Sequence, residues 1–187
     1  MDAYADLRLM PDPEFPATLL MNALFSKLHR GLCEWGTGEI GVSFPAAEHA
    51  SPGLGPVLRI HAGEIVLQKF MNSGWLSGMR DHLQIVGPRP IPAQVHHRVV
   101  RRVQSHSSPE RERRRLMARK GLSAEEALRR IPDSRIRLLD LPYVALASRS
   151  TGQQFKLFIE QGPLMTDPSP GRFSAYGLGT TATIPWF

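Results

Sequence analysis

Cysteine is nearly absent: Cys33 is the only one among 187 residues, so no intrachain disulfide and no cysteine-built zinc site can form. That usage agrees with a reducing compartment and sets redox chemistry aside. Long apolar runs are missing too. No uninterrupted stretch reaches the length needed to span a bilayer, and the first ten residues carry two acids and no leader-like apolar segment, so a soluble, cytoplasmic protein with no membrane association is expected. Internal repeats and low-complexity tracts are lacking. No compact carboxylate cluster suggests two-metal cleavage, and His96 and His97, adjacent in a strand pattern, point to opposite faces and cannot easily share an ion; neither metal nor cofactor is expected. His49, His61, His82 and His106 are read as structural or solvated.

What is present is enough apolar residue, 42%, to build a core, and an uneven charge. The net charge is +6 and the pI near 10.1, a balance that suits a polyanionic partner. Of the 23 basic and 17 acidic residues, nine and two fall between Arg98 and Lys120, leaving 14 and 15 for the rest of the chain. One segment therefore carries the whole excess.

Proline and glycine punctuate a readable order of elements. Residues 3–9 form a candidate strand, and Pro11 and Pro13 break the chain before a helix from about Phe15 to Trp35, whose Leu20, Leu24, Leu28 and Leu32 make one apolar face with Met21 and Phe25. Strands at Ile40–Phe44 and Val57–His61, an amphipathic stretch from Gly63 to Asn72 with Ile65, Leu67 and Phe70, and a strand at Leu83–Val86 follow. The order strand-helix-strand-strand-helix-strand predicts a ferredoxin-like, RNA-recognition-like domain over residues 1–94. The run Gly87-Pro88-Arg89-Pro90-Ile91-Pro92 reads as a joint to a second domain, 95–187, so the fold class is α+β in two parts.

The second half opens with a strand over Val95–Gln104. A helix follows, capped by Ser107 with Pro109 and Glu110 in its first turn, and closed by Gly121. Ser123-Ala124-Glu125-Glu126 is a second capping box, opening a helix to Ile131. After an apolar segment near Ile136–Leu141 come strand candidates at Tyr143–Ser148, Phe155–Ile159 with Lys156 on the solvent side, Arg172–Tyr176 and Ile184–Phe187, with a Ser150-Thr151-Gly152 turn between the first two.

The helix from Pro109 to Lys120 is the most informative element. Arg111, Arg115 and Arg119 recur every four residues, with Arg114 on the same stripe, so their guanidinium groups project from one side. Charge runs are usually solvated faces, but like charges concentrated to this degree weaken a helix unless a polyanion neutralises them. The major groove of A-form RNA, deep and narrow, opens near the end of a short stem and admits such a helix. Arg102 and Gln104, two apart on a strand pattern, carry the side chains that pair with guanine and adenine edges, although an ordinary polar strand face explains the pair by itself. Phe155 suits the core or a stack on a base, and His29, one step past Leu28, lies at the border of its helix's apolar face.

Several of these stretches together carry a resemblance. Arg102-Val-Gln104, the run from Ser108 to Met117, the block from Ser148 to Ile159, the closing Pro185-Trp186-Phe187, Arg8 to Pro16 and Ile40 to Pro45 resemble, in order and from end to end, the CRISPR repeat-RNA endoribonucleases of type I-F systems. The resemblance implies metal-independent cleavage of a precursor transcript at the base of each repeat hairpin, retention of the product, and a place among other subunits of a surveillance complex; the free protein is expected to be a monomer. It further implies that His29 transfers a proton, Ser148 holds the attacking 2′-hydroxyl and Tyr176 orders the site. Ser150 and Thr151 would approach the scissile phosphate, and Arg102 and Gln104 would read the lowest stem pairs. Phe155 would stack beneath them, and Arg114, Arg115 and Arg119 would hold phosphates in the groove; Arg111, on the same stripe, is expected from its spacing to meet RNA as well. Ala118 stands where the family helix often has a further basic residue. Two alternatives of other classes are a hairpin-binding subunit of a surveillance or transposition complex that does not cut, and a basic ribosome-associated or DNA-binding protein.

Overall fold

The structure, a computed structural model, describes residues 1–47, 53–104, 109–132, 140–148 and 151–187. It is α+β, as expected, and divides into two compact units: Met1–Val103 with Leu141–Phe187, and Gln104–Asp140. The boundary expected at residues 94 and 95 falls inside the first unit.

That unit begins with β1 (Ala3–Leu9), α1 (Ala17–Trp35), β2 (Gly41–Ser43), β3 (Val57–Ala62), α2 (Glu64–Asn72) and β4 (Leu83–Pro90). The sheet order is β2-β3-β1-β4 with every neighbour antiparallel, so β3 separates β1 from β2, and β1 separates β3 from β4, a split βαβ arrangement. Alternation decides the faces. Ala3, Ala5, Leu7, Leu58 and Ile60 are buried in one core with Leu24, Phe25 and Leu28 of α1 and Leu67 and Phe70 of α2. Ile65, expected on the apolar face of α2, is instead 69% exposed. On the alternate β3 positions Arg59 and His61 are set against Asp6 and Tyr4 of β1. Arg59 holds Asp6 with two hydrogen bonds, 2.6 and 2.9 Å, while its guanidinium carbon lies 4.2 Å from the Phe187 ring centre.

Three sequence expectations need correction. The proline-rich joint does not end β4, which runs through Gly87, Pro88 and Arg89 to Pro90. Among the described residues β4 is an edge strand, paired only with β1, so its prolines need donate to no second neighbour; the register slips between Tyr4 and Asp6, where Gly87 takes a φ of 112° and a Cβ would meet the Tyr4 carbonyl at 2.8 Å. The strand expected over Val95–Gln104 is two, β5 (His96–Arg98) and β6 (Val100–Val103), which leave for different partners: β5 pairs with β9 (Ile184–Trp186) and β6 with β8 (Gln154–Gln161). Arg172–Tyr176 is no strand but a turn-containing segment.

β8 also pairs with β7 (Tyr143–Ala147), giving the order β6-β8-β7. Val144, Leu146, Leu157 and Ile159 of this sheet join the core, and Lys156 faces out as expected. β7 lies at the sheet edge, where the Ala145 N–H donates to Asn22 Oδ1 of α1 at 2.9 Å.

The second unit contains α3 (Pro109–Lys120) and α4 (Ala124–Arg130). The Ser123 capping box forms: Glu126 N–H donates to Ser123 Oγ and Ser123 N–H to Glu126 Oε2, at 3.2 and 3.0 Å. The expected Ser107 cap and most of the Ile136–Leu141 segment lie outside the described residues.

Candidate active site

α1 presents His29 because its buried stripe, Leu20, Leu24, Leu28 and Leu32, fixes the rotation of the helix and leaves position 29 half-buried at the edge. Pro16 caps the start in an extended conformation, so the helix begins two residues later than expected. Gly36, left-handed, ends it by donating its N–H to the Leu32 carbonyl at 3.0 Å.

The His29 ring is held on two sides. Its Nδ1 lies 2.8 Å from the Ala175 carbonyl oxygen, which can only accept, so Nδ1 donates there, and the Cys33 Sγ lies 3.7 Å from Nδ1 and 3.9 Å from Nε2. Its plane stacks on Tyr176 with ring centres 4.1 Å apart and planes 10° from parallel, and Phe25 lies behind Tyr176 at 6.3 Å and 6°. Tyr176 comes from the turn that replaces the expected strand: Gly177 N–H donates to Ser174 O at 2.8 Å and Tyr176 N–H to Ser174 Oγ at 3.3 Å. Gly177, with a φ of 70°, approaches Val42 so closely that a Cβ would meet Cγ1 at 2.8 Å, while the Val42 N–H bonds the Gly177 carbonyl. The tyrosine is thereby anchored to β2.

Ser148 follows directly after β7. Its N–H donates to Gln153 O at 2.9 Å, the Gly152 N–H donates to Ser148 O at 2.8 Å, and Thr151 N–H points at Ser148 Oγ at 3.4 Å, so the turn into β8 fixes the serine. Ser150 lies outside the described residues; Thr151 is exposed.

His29, Tyr176, Ser148 and Phe155 line a single open cleft of about 510 Å³, together with Ser26, Arg30, Cys33, Glu34, Leu146 and Ala147. A larger cleft, about 1020 Å³, lies between the loops around residues 36–39 and 168–172 and holds none of the expected site residues; the smaller one is the candidate because the chemistry-bearing side chains converge there. Arg102 of β6 is exposed, its guanidinium carbon 5.9 Å from the Tyr176 ring centre and 6.0 Å from that of Phe155. Gln104 lies one residue past β6 and is exposed, so the shared strand face expected with Arg102 ends before it.

Sequence reasoning passed over Ser26, Arg30, Cys33 and Glu34. The signal was there: with His29 they follow the 3–4 residue spacing of one helix face.

In the second unit Arg111, Arg114, Arg115 and Arg119 are all exposed on α3, with Arg114 paired to Glu110 at 3.2 Å. Arg113 differs: half-buried, it donates to the Ile131 carbonyl at 2.9 Å, at the end of α4. Glu110 and Glu112 in the first turn of α3 and Arg119 and Lys120 in its last complement the helix dipole.

Residues 4–187 of this α+β protein match the family described as CRISPR-associated protein (Cas_Csy4). Two similar relatives, both named CRISPR-associated endonuclease Cas6/Csy4, come from Pseudomonas aeruginosa (strain UCBPP-PA14), 51% identical, and Escherichia coli (strain UTI89 / UPEC), 44% identical; each alignment covers the whole of both chains. The chain belongs to the Cas_Csy4 family, which is where the resemblance in its motifs had placed it. Among the described residues no helix is long and apolar enough to cross a membrane.

Proposed function

We propose that this protein, an endoribonuclease of the Cas_Csy4 family, binds the hairpin of a CRISPR repeat transcript and cuts at its base without a metal ion. The 2′-hydroxyl, held by Ser148, attacks the adjacent phosphorus; the O2′–P bond forms as the P–O5′ bond breaks, the hydroxyl proton is lost and the leaving 5′-oxygen gains one. The products are a 2′,3′-cyclic phosphate and a 5′-hydroxyl. His29 moves a proton in this exchange, and Tyr176 holds its ring. The observation that carries the reading is the placement of the histidine: a ring stacked on Tyr176, with Nδ1 2.8 Å from the Ala175 carbonyl, in the cleft that Ser148 also lines.

Thr151 and Ser150 approach the scissile phosphate. Phe155 stacks on the lowest base pair, and Arg102 and Gln104 read the edges of the pairs at the stem's foot. Arg111, Arg114, Arg115 and Arg119 lie along the groove against phosphates. In this functional division residues 95–187 grip the hairpin and residues 1–94 bring His29. The enzyme works in the cytoplasm, is a monomer when free, and keeps its product hairpin within a type I-F surveillance complex.

His29→Ala tests the assignment. Loss of a positioned proton-transfer group lowers the cleavage rate by about 10² to 10⁴-fold, and hairpin affinity should stay within about twofold. Undiminished cleavage refutes the role of His29. If the wild-type protein binds the hairpin tightly yet leaves it whole, the non-cleaving hairpin-binding subunit is the correct reading.

A further inference from the structure

The α1 wall of the cleft carries charge that the proposed reaction does not use. Ser26, His29, Arg30, Cys33 and Glu34 all line the cleft, and their spacing puts them on one helix face. Arg30 and Glu34 are exposed and four residues apart, a spacing that often gives an ion pair, yet among the described residues neither side chain is paired. An unpaired guanidinium on the rim of a cleft that takes RNA is a phosphate ligand in waiting.

The direction of attack says which phosphate. In-line displacement places the leaving 5′-oxygen on the far side of phosphorus from the incoming 2′-hydroxyl. With that hydroxyl at Ser148, just past β7, the course inferred for the leaving strand is away from β7 and along α1, whose side chains line the same cleft. The wall continues past His29 to Cys33, four residues on, or about 6 Å at the helical rise.

We propose that this end of the cleft is a subsite for the nucleotide on the 3′ side of the scissile bond: Arg30 holds the phosphate that follows it, and the Glu34 carboxylate opposes that phosphate and keeps the hold weak. The inference rests on the cleft being the site of hairpin cleavage. It gives the site an asymmetry, with a firm grip on the hairpin it keeps and a loose one on the strand it releases. The competing explanation is that Arg30 and Glu34 are solvated surface charges with no bearing on RNA.

The test uses the full protein and three RNAs made uncleavable by a 2′-deoxy substitution at the attacking position: a repeat hairpin ending at the cut, and the same hairpin with one or two further 3′ nucleotides. Affinities are measured over a salt series. In the wild type, the hairpin with two further nucleotides, which adds the second phosphate, should bind about two- to fivefold tighter than the hairpin with one, the range of an exposed ion pair. Its salt slope should be steeper by about 0.7, the value for one single-strand phosphate contact. Arg30→Gln should bring the affinity ratio of the two-nucleotide to the one-nucleotide RNA toward one, and Glu34→Gln should raise it. No gain from extension in the wild type overturns the subsite, as does an equal loss across all three RNAs in Arg30→Gln. Weak wild-type binding of the hairpin that ends at the cut would instead sink the underlying reading of the cleft, and the subsite with it.

Discussion

Acid should destabilise this protein through one buried side chain, His61. It is fully buried on β3, with Nε2 2.9 Å from Ser43 Oγ and no partner at Nδ1 among the described residues. Burial, reinforced by the Arg59 guanidinium and the N-terminal amine, pushes its pKa down from 6.5 to about 3. The folded chain therefore resists a proton that the unfolded chain accepts below about 6.5, so stability is complete above that pH and falls as the solution is acidified toward 3. Between pH 7.5 and 5.0 the loss from this residue works out at about 2 kcal/mol, because at pH 5.0 the unfolded imidazole is almost fully protonated and the folded one is not. Urea unfolding at the two pH values, for the wild type and for His61→Gln, reads the difference. The variant keeps a hydrogen-bonding group for Ser43 and is less stable at pH 7.5, but its loss on acidification should be smaller by about 2 kcal/mol. An equal loss in both proteins would refute the reasoning.

Other expectations follow from the same structure. Arg115→Ala and Arg119→Ala should each weaken hairpin binding and lower the magnitude of the salt slope by about 0.9, read by filter binding between 50 and 300 mM salt as an approximate working range; an unchanged slope contradicts a groove-facing α3. Asn22→Ala removes the acceptor that fixes the outer edge of β7 to α1, and should cost about 1 kcal/mol in stability while slowing cleavage more than it weakens hairpin binding, since Ser148 follows β7 directly. Equal effects on rate and binding would argue that β7 does not position the serine. Ser123→Ala should cost about 1 kcal/mol through the lost cap, seen as faster amide exchange in α4; unchanged exchange would show that the cap does not hold that helix.

The sequence revealed elements where one periodicity ran uninterrupted. The leucine stripe of α1, the order of the first six elements and the Ser123 capping box were all readable, because local spacing and capping chemistry determine them. What escaped depends on long-range pairing. Gly87 to Pro90 look like a break, and only the position of β4 at a sheet edge makes prolines tolerable there. Val95 to Gln104 look like one strand, but the chain changes partners at Val99, a choice made by β8 and β9 far away in sequence. For the site, the resemblance named His29, Ser148, Tyr176 and Phe155, and these four do line one cleft. Geometry added how the histidine is held, through the Ala175 carbonyl and the Tyr176 ring, both 146 to 147 residues away along the chain. No local pattern could have supplied that.

Metal-independent cleavage by a 2′-hydroxyl, as proposed for this protein, is open to one direct measurement. Purified protein should be incubated in excess EDTA with a repeat-derived hairpin and with a copy bearing a single 2′-deoxy substitution just before the cut. The first should be cut, leaving a 2′,3′-cyclic phosphate, and the second should be bound but stay whole. Cleavage of the deoxy copy, or cleavage of the first only when magnesium is restored, would contradict the proposal.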